Sequence, residues 1–598
     1  MPEYLSPGVY VEEVSYRAKF IEGVSTSTCG IVGQTSFGPT DGRPEVITSF
    51  GEYVRRYGGW EDLQYSGGTD PRPNYTAHAV RAFFDNGGKR MYVSRVFTPY
   101  QPTDSGTALA VLPGPVAATV GARYPGSWGN QIRVRIELMR KGQMNVVANS
   151  TEKQLRGVYD GAMVQLSNDT ASDASKLGFP TSTSEVAFVK LDSGKYKLVD
   201  AGDHEITYPT AAYLVELQVS VYVGTAKTPA AVYTNLSPSS RAKNYIATFL
   251  DPQQPGDASA IVSVSDVTAA SALDLLKYLV TTHVNDAWFS ETVLQGGNDG
   301  MPPKDTDYAG SAADERHPTG LGALETRDDI ALILASDAVG YGLSQHQAIV
   351  NHVISHCESL RYRFAIIEPP QGQTSDGVLG FRSKFDTSYA GLYYPWIKIS
   401  DPRDGKDGKL LPVPPSGFVA GICARTDIRR GVHKAPANET VLGAFDYEIN
   451  VRQGVQDVLN PRGVNCLRFF EQGGFRVWGA RTMTSDAEWK YVNVRRLFIY
   501  LEHSIDRGTQ WVVFEPNNQA TWQKVTSTIE AFLLDVFKSG ALLGAKPEEA
   551  FFVRCDRTTM TQNDLDNGRL ICLVGVAPAY PAEFVIFRIG QFTADTKQ

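Results

Sequence analysis

Between residues 329 and 367 the sequence leaves little freedom. Asp329–Ala335 is an apolar run of the length of a buried strand. Ser344–Arg361 places Ile349, Val350, Val353, Ile354, Cys357 and Leu360 on one helical face, and Phe364–Ile367 is a second apolar run. A strand, a helix and a strand in that order imply a parallel pair with a right-handed crossover, and so an α/β core. The same mixed pattern fills Thr26–Phe97. Ser49 and Glu52 frame a capping box for a helix stopped at Gly58-Gly59, Tyr75–Asp85 is amphipathic, and Arg90–Val96 reads as a strand.

Around this core the pattern changes twice. Residues 100–240 are rich in Ala, Thr, Ser, Val, Gly and Pro, with alternating runs such as Ile132–Ile136 and Leu217–Val223, and predict an inserted all-β domain. Core-like segments return over 241–480, including a strand expected at Phe418–Ala424 after the Pro-rich Leu411–Pro415. Near the C-terminus, Val494, Phe498, Leu501 and Ile505 mark one helix. Trp522, Val525, Ile529, Phe532 and Val536 mark another, stopped by Gly540; strands at Phe551–Arg554 and Leu570–Val576 complete an α+β domain over 481–580.

Both ends of the chain read as strands without a nearby partner. Val9, Tyr10, Val11 and Val14 belong to an N-terminal arm over 1–25. Phe584, Val585, Ile586, Phe587 and Ile589 belong to a C-terminal strand arm over 581–598. Fully extended, the first 23 residues reach roughly 75 Å at about 3.3 Å per residue. The arms can therefore pair within the subunit or with another one.

Chemical motifs are sparse. No Gly-Lys dipeptide continues to Ser or Thr, so no P-loop is present, and no serine-protease nucleophile segment accompanies the turn-like Asp104-Ser-Gly106 and Asp192-Ser-Gly194. His352 and His356 share a helix face at a spacing usable by a metal, but His346 points elsewhere and Cys357 lies on the apolar face, so a solvated pair is expected. Asp401–Lys409 carries acids without EF-hand spacing and is expected as a surface turn. The six cysteines are never closer than 17 residues, which excludes a Cys-x-x-Cys pair and predicts buried thiols in a reducing cytoplasm. Lys plus Arg number 57 against 65 Asp plus Glu, a net charge of -8 that gives no sign of nucleic-acid binding. No stretch is apolar enough for a spanning helix, and the opening residues lack a signal-peptide pattern. The densest basic set, Arg425, Arg429, Arg430, His433 and Lys434, is either a solvated loop or an inter-subunit ion-pair surface. No catalytic, cofactor-binding or metal-ligating residue is predicted.

Many short segments, in order, resemble the contractile tail sheath proteins of bacteriophages and phage-derived injection particles. They include Ser6–Glu13, Phe84–Val93, Ala122–Asn130, Tyr393–Trp396, Pro414–Gly421, Ala424–Asp427 and Arg430–Asn438. Further on come Leu459–Gly463, Val477–Arg481, Tyr491–Arg496, Phe514–Asn517 and Pro581–Val585. The resemblance covers 1–100 and 290–592. It implies a structural, non-enzymatic polymer with a subtilisin-like chain trace lacking the triad, a variable insertion facing outward and a C-terminal domain facing an inner tube. It also implies terminal arms that add strands in neighbouring subunits. The expected partners are further copies of the chain, an inner tube protein, baseplate proteins and a tail-terminator or cap, with assembly in the bacterial cytoplasm. The competing expectation is a non-contractile scaffold or adhesin whose β insertion binds a glycan or protein.

Overall fold

The computed structural model describes residues 20–588 apart from 66–70, 102, 112–117, 144–154, 156, 168–176, 208, 210, 253–258, 266, 269–270 and 404–407. Its centre is a nine-stranded sheet. In spatial order the strands are Val46–Ile47, Met91–Arg95, Cys29–Gly33, Leu332–Leu334, Phe364–Ile367, Ala390–Tyr394, Val464–Phe470, Gly474–Val477 and Glu439–Thr440. The six strands from Met91–Arg95 to Val464–Phe470 run parallel, and antiparallel strands close both edges.

Alternation along these strands divides two cores, because successive side chains leave opposite faces of a pleated strand. Ile31, Met91, Val93, Leu332, Leu334, Phe364, Ile366 and Tyr393 face one layer, built by Tyr75–Asp85 and Ser416–Arg430. Val32, Tyr92, Ile333, Ala365, Ile367, Leu392 and Tyr394 face the other, covered by Leu343–Leu360. The expected strand–helix–strand unit is present, with Leu332–Leu334 parallel to Phe364–Ile367. Phe50–Tyr57 starts as expected at Ser49, whose side chain accepts from Glu52 N. The Glu52 carboxylate reaches back to Thr48 N rather than to the cap residue itself.

One expectation over the core fails. Phe418–Ala424 lies inside a 15-residue helix, Ser416–Arg430. A short apolar run carries no period that separates a buried strand from a helix buried all round, and 11 residues of this helix, Ser416 to Thr426, are buried. Its glycines settle the matter by contact. A Cβ on Gly417 would sit 2.4 Å from Ala79 O, and one on Gly421 would sit 2.5 Å from Phe83 O, so the two helices touch nearly backbone to backbone.

The inserted region is β-rich, as expected. An antiparallel eight-stranded sheet is centred on Ile132–Gln143 and Ala211–Val223, beside a three-stranded sheet of Leu109–Val111, Thr119–Ala122 and Val262–Ser265. Its pairing runs past residue 240, however. Ala287–Val293 pairs with Ile132–Gln143, Thr282–Val284 follows at the edge, and the helix Ala272–Leu279 packs into the same core. The composition changes near 240 while the hydrogen bonding does not. Trp128 packs at a tilt against Phe37, ring centroids 4.7 Å apart, and donates its backbone N–H to Ser36 O, which docks the insertion on the core. Among the described residues no helix is long and apolar enough to cross a membrane.

Candidate assembly surface

The C-terminal unit is built by two amphipathic helices, Val492–Thr509 and Gln519–Lys538, in the places the periodicity gives. Leu497, Leu501, Val525, Ile529, Phe532, Leu533 and Val536 interlock, and Ile21 joins them from the start of the described chain. Asn518 caps the second helix by accepting from Thr521 N, and Gly540 follows it at φ +80°. Phe551–Arg554 and Leu573–Val576 then form an antiparallel two-stranded ribbon. Neither of its outer edges has a partner strand among the described residues, and Phe552, Leu573 and Val574 are exposed on it. A two-stranded ribbon is marginal alone, and its open edges are templates for further strands.

Val9, Tyr10, Val11 and Val14 lie outside the described residues, as does Ile589. Phe584, Val585, Ile586 and Phe587 are 73%, 68%, 79% and 84% exposed and belong to no strand. Four consecutive apolar side chains held in water cost burial energy on the order of 1.5–3 kcal/mol each, relative to a covered state. The residue before them is anchored. The Glu583 carboxylate accepts from Arg481 Nε and Nη2 at 2.8 and 2.7 Å, from Asn460 Nδ2 at 2.6 Å and from the Tyr491 hydroxyl at 3.0 Å. Partial burial pushes its pKa up, but the hydrogen bonds of Arg481 and Asn460 outweigh this and hold it below the ordinary glutamate value.

The basic set divides. Arg425 is buried rather than on a solvated loop, donating to Asn86 O and Thr440 O, with Glu439 Oε2 4.0 Å from its Nη2. The helix turns it inward against Gly87, whose φ of +106° lets the chain pass beneath. Lys434 is tied to Glu439 at 2.9 Å, while Arg429 and Arg430 stand exposed in the last turn of their helix. Two other expectations change. His356 is buried, with Arg363 Nη1 2.6 Å from its Nε2, and burial lowers its pKa to about 3. Asp401 is also buried, paired with Arg403 at 2.5 Å, while residues 404–407 of the expected turn lie outside the described residues. In both cases an arginine a few residues along the chain meets the group in a buried setting that its local polarity did not signal. Asp104 sits in a turn as read, accepting from Gly106 N, while Asp192 ends the strand Val186–Asp192 and Ser193-Gly194 turn the chain into the next, antiparallel strand.

Three arrangements had no sequence signal. Asp427 and Arg496 form an ion pair at 2.5 Å with both side chains 3% exposed, and Arg496 also donates to Thr26 O, so one guanidinium joins three parts of the chain. The Glu583 clamp unites residues 102 and 123 positions apart. At the carboxyl ends of the parallel strands, where the order reverses beside Cys29–Gly33, a cavity of about 290 Å³ is lined by Gln34, Tyr65, Arg72, Asp337 and Tyr341. Asp337 accepts there from Gln34 N at 2.7 Å and the Tyr308 hydroxyl at 2.6 Å, and burial lifts its pKa to about 6. Glu368, also fully buried, is lifted to about 8 by burial, with the Asp337 charge adding to it. Both acids move the same way. Burial is the largest cause of the rise in each.

The relatives of this chain are tail sheath proteins. The phage tail sheath protein central domain matches residues 310–483, and the phage tail sheath C-terminal domain matches 484–592. A putative prophage major tail sheath protein of Pseudomonas aeruginosa is 26% identical over 285 residues, 47% of this chain and 70% of the relative. Tail sheath proteins of Vibrio phage KVP40 and Enterobacteria phage T4 are 24% and 23% identical. Those matches take in 42% and 43% of this chain but only 40% and 41% of the two phage proteins. By fold, the chain superposes over 100% of its length on 99% of a chain of the PVC sheath complex, an extracellular contractile injection system in its contracted state. The TM-score is 0.52 at 20% identity. The contracted helical sheath of the anti-feeding prophage gives 0.51 at 20%, covering 99% of this chain and 100% of that one. Over residues 310–592 the chain matches the phage tail sheath family.

Proposed function

We propose that the chain is the structural subunit of a contractile tail sheath. It polymerises helically around an inner tube in an extended, metastable state, then contracts to drive the tube through a target cell envelope. The observation that carries this reading is the exposed run Phe584–Phe587, continuous with the body yet unpartnered among the described residues. The Val9–Val14 and Phe584–Ile589 arms of different protomers cross between subunits and meet in one shared sheet. The two open edges of the 551–554 and 573–576 ribbon support that ribbon as the seed of the sheet. Strand addition suits a moving joint. Its main-chain hydrogen bonds hold two bodies together while each turns as a rigid unit. A contact between different surfaces of successive subunits does not close on itself, and so generates a helix.

Contraction draws on the free-energy difference between two packings of the same subunits. A difference on the order of a few kcal/mol per subunit, summed along the polymer, supplies the work without a nucleotide. The order of the central sheet, with Cys29–Gly33 between Met91–Arg95 and Leu332–Leu334, supports the subtilisin-like trace without its catalytic use. The role is structural rather than enzymatic, in a phage virion tail or another contractile particle assembled in bacterial cytoplasm. Its further partners are the inner tube protein, the baseplate and a terminator or cap.

Deletion of residues 1–14 tests the reading. The expected outcome is a folded monomer, by circular dichroism and calorimetry, that forms no long tubes under the electron microscope. Full-length chain should give tubes of two diameters. Tubes of normal length from the deleted chain would refute the arm exchange, and loss of the monomer fold would show that the strand pairs within its own subunit.

A further inference from the structure

We infer that Glu583 is a positioning residue, fixing the point and direction at which the C-terminal arm leaves the body and passing any pull on that arm into the central sheet. The inference rests on the arm-exchange reading above. Four donors from three residues saturate the two Glu583 oxygens, and Arg481 supplies two of them side by side. Such a forked, charge-assisted pair fixes orientation as well as distance. Arg481 is itself held through its backbone. Its N–H donates to Asn465 Oδ1 at 2.6 Å, and its carbonyl accepts from Asn465 Nδ2 at 2.7 Å. Asn465 is fully buried in Val464–Phe470, the last of the parallel strands. A hydrogen-bonded path thus runs from the root of the arm through Glu583, Arg481 and Asn465 into the nine-stranded sheet.

The change at this residue is abrupt. Tyr580 packs edge-on against Tyr491, the Ala579 carbonyl accepts from Asn493, and Glu583 is gripped, whereas Phe584 is already 73% exposed. The joint between subunits therefore begins at Phe584. A strand rooted in this way presents itself to a neighbour with less orientational freedom to lose on pairing, which favours assembly without adding a contact. A plain stability role for Glu583 would instead affect the isolated subunit and the polymer equally.

The test uses the full-length chain, Glu583→Gln, Tyr491→Phe, and a chain ending at Glu583. Monomer thermal midpoint and the concentration needed for sheath formation, by sedimentation and electron microscopy, are the two readouts. Glu583→Gln keeps the side-chain shape but loses the charge. It should leave the monomer midpoint within a few degrees and raise the concentration needed for assembly about tenfold. Tyr491→Phe, lacking one donor of four, should raise it about twofold to threefold and gives a readable result should the first variant fold poorly. Wild-type assembly by Glu583→Gln, with none from the shortened chain, would overturn the positioning role and leave the arm exchange standing. Normal sheaths from the shortened chain would overturn both. A monomer midpoint falling in step with assembly would reduce Glu583 to a structural tie.

Discussion

Asp427 and Arg496 sit where water is excluded, and Arg496 also reaches the segment leading into the first strand. Removing one partner leaves the other charge buried without compensation, a change of about 3–5 kcal/mol. Asp427→Asn should therefore lower the calorimetric midpoint sharply, while Asp427→Asn combined with Arg496→Met should be milder. Glu368 predicts a pH effect of definite sign. Its folded value, about 8, lies above the ordinary 4.5, so its protonated form is stable in the folded chain at pH values where the unfolded chain has ionised. The contribution is complete below about pH 4.5 and is lost as pH rises to about 8. Glu368→Gln should raise the midpoint at pH 8 by several degrees and leave it nearly unchanged at pH 4. Buried His78, His346 and His356, lowered by burial to about 4, 4 and 3, act in the opposite direction. They favour the fold above pH 6.5 and lose that contribution as pH falls.

At the scale of the element, the contact between Tyr75–Asp85 and Ser416–Arg430 depends on absent side chains. Replacing an interior helical glycine by alanine ordinarily gains about 1 kcal/mol. At Gly421 the added carbon would stand 2.5 Å from Phe83 O and 2.7 Å from Asn86 Cβ, so Gly421→Ala should destabilise instead, by about 1–3 kcal/mol, and Gly421→Val by more. Urea midpoints measure both. This is also where the sequence misled. Phe418–Ala424 has the apolar run of a strand, and the two glycines that fit it to a neighbouring helix mean nothing until that neighbour is known. By contrast Tyr75–Asp85, Gln519–Lys538 and Phe551–Arg554 were legible, because period, caps and length agreed within each segment.

For the whole molecule, the insertion ends where its hydrogen bonds end. Thr98 and Met301 are bridged, with Met301 N donating to Thr98 O at 2.8 Å, so the core holds the two ends of the intervening segment side by side. Replacing residues 101–297 by a short Gly-Ser linker should leave a folded α/β body, by circular dichroism and a cooperative thermal transition. Removing only 100–240 takes Ile132–Gln143 and Ala211–Val223 from a sheet that still contains Ala287–Val293, and should give aggregation by light scattering.

The sequence by itself determined the α/β core, the β-rich insertion and the two C-terminal helices. Those features rest on periodicity, which repeats within ten to twenty residues. Tertiary structure alone decided that Arg425 faces inward, that Asp427 meets Arg496, that the insertion continues to residue 293, and that Glu583 is gripped just before the exposed arm. Each of these is a meeting of residues far apart in the chain. Whether a charge faces water or a partner depends on what the fold brings to it, which local spacing does not encode.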